Sequence, residues 1–363
     1  MKKYKQETLK SSFSRGLSEW NKEKNSRQMP WKGEKDPYKI WLSEIILQQT
    51  RVEQGLNYYI SFISNFPDIN KLAKASDEKV FKLWEGLGYY SRCRNLLATA
   101  KYISNAFDGK FPDTYEDIKT LKGVGPYTAA AIASFAFNLP YAVVDGNVFR
   151  VLARVFGVDK PIDSIDGKKF FTDIANELLD KKQPGLYNQA IMDFGAVVCK
   201  PVNPSCTVCF FNKKCSAFLN NKINELPVKQ KKIKIKKRWF YYLIPEYKGE
   251  MAICQRTGKD IWQNLYEFPL IESPGELDMV AIVRDIEKKK WLPKRDYEII
   301  SVSGLYKQQL SHQLIAGRFI KIRLKKKPVS DWLWVSNSGM KKFAFPKFIN
   351  QYLSEKNKQT KLF

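Results

Sequence analysis

Apolar residues recur at helical spacing along most of the chain up to Val198, and the patterns typical of strands appear only from Trp239 onward. Within the polar stretch 1–30, Phe13, Leu17 and Trp20 share one helical face, which predicts a single amphipathic helix. The next segment is different. From Ile40 to Leu47 the sequence IWLSEIIL is apolar nearly all round, so the helix predicted for Pro37 to Thr50 is a buried one. Glu44 stands inside it, on the same face as Ile40 and Leu47. Further on, the alanine-rich segment Thr128 to Phe137 predicts a tightly packed helix, broken by Asn138-Leu139-Pro140. A short apolar run, Tyr141 to Val144, then leads to Asp145. Residues 165–198 predict two more helices, while Trp239–Ile244, Met251–Gln255 and Arg318–Leu324 predict strands. The chain therefore divides into a mainly α N-terminal part and an α+β C-terminal part, and 363 residues are enough for two cores.

Some of these segments hold residues out of keeping with their surroundings. A carboxyl group in a buried helix has its pKa raised and can keep a proton near neutral pH, as a general acid must. The alternative for Glu44 is an exposed or salt-bridged glutamate. Gly123 and Gly125, two apart before the alanine-rich helix, allow a turn that presents consecutive backbone N–H groups, a natural seat for a phosphate. Asp145, followed by Gly146 and Asn147, is either a helix cap or a catalytic group. In Phe81 to Arg94, FKLWEGLGYYSRCR, Gly86 and Gly88 loosen the backbone between aromatic residues. A loop there with exposed Leu87 and Tyr89 would wedge between the bases of kinked DNA, unless the same residues simply fill a core.

Charge and cysteine usage narrow the picture. Lysine and arginine number 62 against 37 acidic residues, a formal charge of +25, which points to a polyanionic partner. No apolar run reaches transmembrane length and the N-terminus lacks a secretory signal, so a cytoplasmic protein is expected. Four of the six cysteines, Cys199, Cys206, Cys209 and Cys215, form C-x6-C-x2-C-x5-C. In a reducing compartment four such thiolates hold zinc or an iron–sulfur cluster, and the spacing does not choose between them. Cys93 and Cys254 are left over and expected to be buried. Seven of the twelve residues in PVKQKKIKIKKR, 227–238, are basic, as suits an interdomain linker, and the chain ends in a lysine-rich tail.

The hairpin sequence LKGVGPYTA, Leu121 to Ala129, and the downstream VVDGN, Val143 to Asn147, resemble the hairpin and catalytic aspartate of the helix-hairpin-helix DNA glycosylase superfamily. WLSEIILQQT, Trp41 to Thr50, resembles the signature of its adenine DNA glycosylases, the MutY type. The resemblance implies a helix-hairpin-helix glycosylase domain with an iron–sulfur loop at 1–226, the linker at 227–238, a Nudix-like α+β lesion-recognition domain at 239–352 and a basic tail at 353–363. It implies catalysis by Glu44 as acid and Asp145 as anion, with Tyr127 beside Asp145 and Asn147 bonded to the pair. Arg27, Trp31 and Gln189 would form the adenine pocket. Trp31, Lys32, Leu47, Gln49, Thr50, Leu87, Gly88, Tyr89, Gly123, Gly125 and Tyr127 would touch DNA. The four clustered cysteines would hold a [4Fe-4S] cluster. A loop of Leu310, Ser311 and His312, the last being the only histidine, would read 8-oxoguanine; the commonest form of the family has phenylalanine where Leu310 stands. The segment Gln255 to Pro269 resembles the start of a Nudix-type hydrolase, but the glutamate-rich box that should follow is absent, so that domain is expected to bind without hydrolysing.

The implied activity is removal of adenine mispaired with 8-oxoguanine or guanine in double-stranded DNA, by a monomer. Superfamily members that also nick the strand carry lysine at the position of Tyr127, and tyrosine cannot form a Schiff base. A monofunctional enzyme, with little or no strand cleavage, follows from the resemblance. Two rivals remain: a thymine-mismatch glycosylase, against which Glu44 and the reader domain argue, and a catalytically silent DNA-binding protein, which has no need for Glu44, Asp145 and Asn147 together.

Overall fold

The computed structural model describes residues 2–230, 235–292 and 296–360; residues 231–234 of the basic linker and 361–363 of the tail lie outside them. Two compact units form, Met1–Lys74 with Asn95–Lys232, and Ala75–Arg94 with Ile233–Phe363. In chain order the helices up to residue 219 are α1 (Lys2–Glu23), α2 (Pro37–Leu47), α3 (Val52–Asn65), α4 (Ile69–Ala73), α5 (Asp77–Trp84), α6 (Tyr90–Ala106), α7 (Tyr115–Thr120), α8 (Pro126–Phe137), α9 (Gly146–Phe156), α10 (Ile165–Leu178), α11 (Pro184–Val197) and α12 (Ser216–Leu219). After the linker come β1 (Lys236–Tyr247), β2 (Glu250–Gln255), β3 (Tyr266–Glu267), β4 (Leu270–Ser273), α13 (Met279–Lys288), β5 (Tyr297–Val302), β6 (Tyr306–Gln309), β7 (Gln313–Leu324), β8 (Leu333–Ser336) and α14 (Lys347–Thr360). Among the described residues no helix is long and apolar enough to cross a membrane.

The first unit is helical because its boundaries are chemically marked. Asp36 caps α2 by accepting from the Tyr38 N–H, and Pro37 opens it with a pre-set φ. Pro126 opens α8, which ends where Asn138 takes the left-handed conformation. Asp145 caps α9 and Gly157, at φ 67°, closes it. The expected stripe of α1 is realised: Phe13, Leu17 and Trp20 are buried against Val151 and Leu152 of α9, Phe171 of α10 and Phe194 of α11. Each such side chain contributes about 1.5–3 kcal/mol by leaving water. That packing fixes α9 and α11, which carry the groups described below.

The second unit is built on a mixed sheet. β1 and β7 run parallel at its centre, in register from Lys236↔Gln313 to Glu246↔Arg323. β2 and β4 pair antiparallel with β1, and β5 and β6 with β7. Gly317 on β7 permits the close approach, since a Cβ there would stand 2.0 Å from the Phe240 carbonyl oxygen. Within this unit Glu85, just after α5, accepts from the Phe345 N–H at 2.8 Å and from Asn350 Nδ2 at 2.9 Å, which ties the segment 75–94 to residues more than two hundred positions away.

Candidate active site

A cavity of about 890 Å³ opens in the first unit between α2, the N-termini of α8 and α9, α11 and the irregular segment that precedes α2. Glu44, Tyr127, Asp145 and Asn147 all line it. Their convergence follows from the local sequence: α2 is buried on nearly all sides, so Glu44 is only 7% exposed and meets solvent only through this cavity. Burial pushes its carboxyl group up to about 7; a hydrogen bond from Tyr127 pulls it down and the nearby charge of Asp145 pushes it further up. Tyr127 therefore donates to Glu44 and also lies within electrostatic reach of Asp145.

For Asp145 the choice between cap and functional group dissolves, because it is a cap that also faces the cavity. Its Oδ1 accepts from the Val148 N–H at 2.8 Å and its Oδ2 from Asn147 Nδ2 at 2.7 Å. Burial raises its pKa, and these two donors together with the Arg150 charge oppose that rise. Both carboxyl groups are thus desolvated, but Asp145 sits among donors at a helix N-terminus and Glu44 does not. The surroundings of Asp145 therefore offer its anion more compensation than those of Glu44 do.

Two buried charges behind this pair went unnoticed in the sequence. Arg150 donates to Asn147 Oδ1 and to the Gly195 carbonyl, both at 2.7 Å, and to the Cys199 carbonyl at 2.7 Å, so it links the Asp145 cap to the cysteine loop. Gly195 has to be glycine, since a Cβ there would lie 2.6 Å from Asn147 Cβ. The second is Asp193, fully buried on α11. The signal that exposed Glu44, a charge inside an apolar helical run, was also present in YNQAIMDFGAVV.

Of the other residues singled out from the sequence, Arg27, Trp31, Lys32, Leu47, Gln49, Thr50 and Gln189 line the same cavity. Gly123 and Gly125 do not. Gly123 takes φ 83° in the turn before α8, and Gly125 is the N-cap of that helix, with no side chain capping it. In the second unit Leu87 is buried at 4% exposure, which corrects the expectation of an exposed wedge; Tyr89, 41% exposed, does face solvent. Left-handed backbone at Gly86, Gly88 and Tyr89 turns the chain sharply around Leu87 and directs it inward. Leu310, Ser311 and His312 form the turn between β6 and β7, closed by the Leu310 N–H on the Gln313 carbonyl at 2.8 Å. The Tyr89 hydroxyl and Ser311 Oγ are 2.5 Å apart.

Cys199, Cys206, Cys209 and Cys215 line one small pocket in the first unit with Val155, Phe194, Phe211 and Ile223. Arg154 Nη1 approaches Cys199 Sγ at 3.6 Å and the Phe211 N–H donates to Cys209 Sγ at 3.4 Å. Burial pushes the Cys209 thiol up to about 12, so a thiolate there needs a cationic partner. Among the described residues no three His, Cys, Asp or Glu side chains group as ligands around a single metal ion. Cys93 is buried as expected, whereas Cys254 is only half-buried.

Comparison with known proteins follows the same division. Residues 42–174 match the HhH-GPD superfamily of base excision DNA repair proteins, and residues 240–355 match the NUDIX domain. The adenine DNA glycosylase of Buchnera aphidicola subsp. Baizongia pistaciae is 35% identical over 303 residues, 83% of this chain and 83% of that protein. The human adenine DNA glycosylase is 39% identical over 216 residues, 57% of this chain and 39% of that one. Among solved structures, a thermostable thymine-DNA glycosylase superposes with TM-score 0.55 at 28% identity, over 59% of this chain and 99% of its own. A trapped endonuclease III–DNA covalent intermediate, at TM-score 0.51 and 19% identity over 58% of this chain and 98% of its own, shares the fold. By its sequence relatives and the two domains it combines, the chain belongs to the adenine DNA glycosylases, the MutY-type enzymes of the helix-hairpin-helix base excision repair superfamily.

Proposed function

We propose that this glycosylase removes adenine mispaired with 8-oxoguanine or guanine in double-stranded DNA, by hydrolysis and without strand cleavage. The observation that carries the reading is the pairing, in one cavity, of a carboxyl group that keeps its proton near neutral pH with a carboxylate held by donors. The volume suits an extruded nucleobase, since ligand pockets run to roughly 300–1,000 Å³. A base must leave the stack before its glycosidic bond can be reached, which is why the cavity sits within the protein rather than on a groove-reading surface. DNA as the partner is supported by the net charge of +25 and by the DNA bound in the solved endonuclease III complexes that share the fold.

Glu44 delivers its proton to N7 of adenine, and the C1′–N9 bond breaks with its electron pair leaving on the base. Positive charge then develops at C1′. Asp145, anionic, stabilises that charge or bonds to C1′ transiently; water then adds its hydroxyl to C1′, releasing Asp145 where it had bonded, and the proton it gives up restores that lost by Glu44. Tyr127 orients Glu44 and Asn147 orients Asp145. Arg27, Trp31 and Gln189 form the walls that select adenine, while Lys32, Leu47, Gln49, Thr50, Gly123, Gly125, Gly88 and Tyr89 contact the duplex. Leu310, Ser311 and His312, on an exposed turn, read the opposite 8-oxoguanine.

Cys199, Cys206, Cys209 and Cys215 would hold a [4Fe-4S] cluster. Four thiols line one apolar pocket, and four cysteine thiolates are the ligand set such a cluster takes. When bound, the cluster would supply a cationic core that compensates the four thiolates and clasps the loop. Iron and acid-labile sulfide in about equal amounts in the purified protein are expected; zinc instead would overturn this assignment.

The direct test is single-turnover release of free base from duplexes containing 8-oxoguanine:adenine, guanine:adenine or guanine:thymine. Adenine release from the first two, with no borohydride-trapped adduct, is expected. Thymine release would favour the mismatch reading that the thymine-DNA glycosylase likeness suggests, and an adduct would contradict the absence of a lyase step.

A further inference from the structure

One wall of the cavity is made by the segment 24–36, which has neither helix nor strand yet contributes Arg27, Met29, Trp31 and Lys32 to the lining. A loop that shapes a binding site needs to be held, because a displacement of about 1 Å at such a wall is enough to cost about 10²-fold in rate. Its far end is tied by Lys35 Nζ to the Phe135 carbonyl at 2.9 Å, and its middle by the edge of Trp31 against Tyr59. Its near end is tied to α1 by Asn25 Nδ2 on Asn21 Oδ1 at 2.7 Å, and to one buried carboxylate. Asp193, fully buried on α11, accepts from Asn25 Nδ2 at 2.9 Å and Arg27 Nη1 at 2.8 Å, and its second oxygen lies 3.3 Å from Lys32 Nζ. Lys32 Nζ also donates to the Arg27 carbonyl at 2.9 Å, which closes the loop on itself around the carboxylate. Asp193 lies one turn after Gln189 and next to Met192, both of which face the cavity.

We propose that Asp193 is a positioning residue for the nucleobase subsite: an anion beneath the cavity wall that pins Arg27 and Lys32 and so sets the loop against the extruded base. A carboxylate kept only to stabilise α11 would be bonded to groups of the helical core, and a buried ion pair adds little stability over a well-packed apolar replacement. All the side-chain partners seen for Asp193 among the described residues come instead from the loop. The inference rests on the reading of this cavity as the adenine pocket.

The test uses D193N, close to Asp193 in shape, together with R27Q and the double variant, with active-site concentration fixed by burst titration so that a misfolded fraction does not count. The single-turnover rate of adenine release in D193N is expected to fall about 10- to 100-fold. Affinity for a duplex with a non-cleavable adenine analogue should fall in parallel, and by more than affinity for the same duplex with an abasic analogue. The two single effects should not add in the double variant, because they break one contact. Wild-type rates in D193N, additive effects, or equal losses on the adenine and abasic duplexes would each overturn the proposal, the last by marking a structural role. If D193N does not fold, R27Q alone has to show the selective loss of the adenine duplex, and its failure to do so overturns the proposal as well. Failure of the wild-type protein to release adenine would count against the pocket reading and is read separately.

Discussion

Glu44→Gln is expected to lower the single-turnover rate of adenine release by about 10²–10⁴-fold, the usual worth of a positioned general acid. Glutamine keeps the volume and the hydrogen bond with Tyr127 but has no proton to give. The pH dependence tells the same story with a sign. Burial raises Glu44 from its ordinary 4.5 to about 7, with Tyr127 opposing and Asp145 adding to the rise. The protonated form is the active one, so wild-type activity is expected to fall as pH rises through about 7, and this limb should vanish from the residual rate of Glu44→Gln. Stability is linked in the same direction. A folded pKa above the unfolded one means that Glu44's contribution is fully present below pH 4.5 and lost as pH climbs through about 7. Glu44→Gln should flatten that part of the stability–pH curve. Rate constants measured across pH on duplexes bound to saturation separate chemistry from affinity, and a variant that retained the wild-type rate would remove Glu44 from the mechanism.

Glu44 could be picked out from the sequence because one charge in an apolar helical run is conspicuous, and helix α2 is buried as that run requires. The local sequence at Asp145 was ambiguous for a physical reason: DGN is good capping chemistry, and only the packing of α8 and α2 around it reveals that the cap also faces a cavity. Leu87 could be placed neither in a wedge nor in a core from the sequence. Glycine-flanked aromatics show that a loop bends, but which side chain turns inward depends on the left-handed backbone at Gly86, Gly88 and Tyr89, which composition does not encode. The grouping of Ala75–Arg94 with the sheet-containing unit depends on bonds such as Glu85 to Phe345 and Asn350, far beyond any periodicity window. Arg150 and Asp193 share that origin, since each acquires meaning only from the loop or helix that folding brings against it.

Asp145→Asn should slow adenine release by about 10²–10³-fold, the usual cost of removing one preorganised electrostatic group, with little or no loss of thermal stability. The reason lies in the double use of this residue. Asparagine is as good an N-cap as aspartate, so the bond from the Val148 N–H survives and α9 stays in place. What disappears is the negative charge, with the acceptor for Asn147 Nδ2, and that charge is held at a cost, since burial raises the Asp145 pKa despite the donors around it. Because the folded pKa lies above the ordinary carboxylate value, the aspartate's contribution to stability is lost as pH rises through it; the amide escapes this loss. A melting temperature equal to or above that of the wild type, alongside a collapsed rate, is therefore the outcome that marks a group kept for chemistry and not for folding. A large fall in melting temperature with the rate per folded molecule unchanged would assign Asp145 to structure alone. Combined with Glu44→Gln the losses should not multiply, because proton delivery to the base and stabilisation of the sugar cation serve the breaking of one bond, and once either is gone the other has less to act upon.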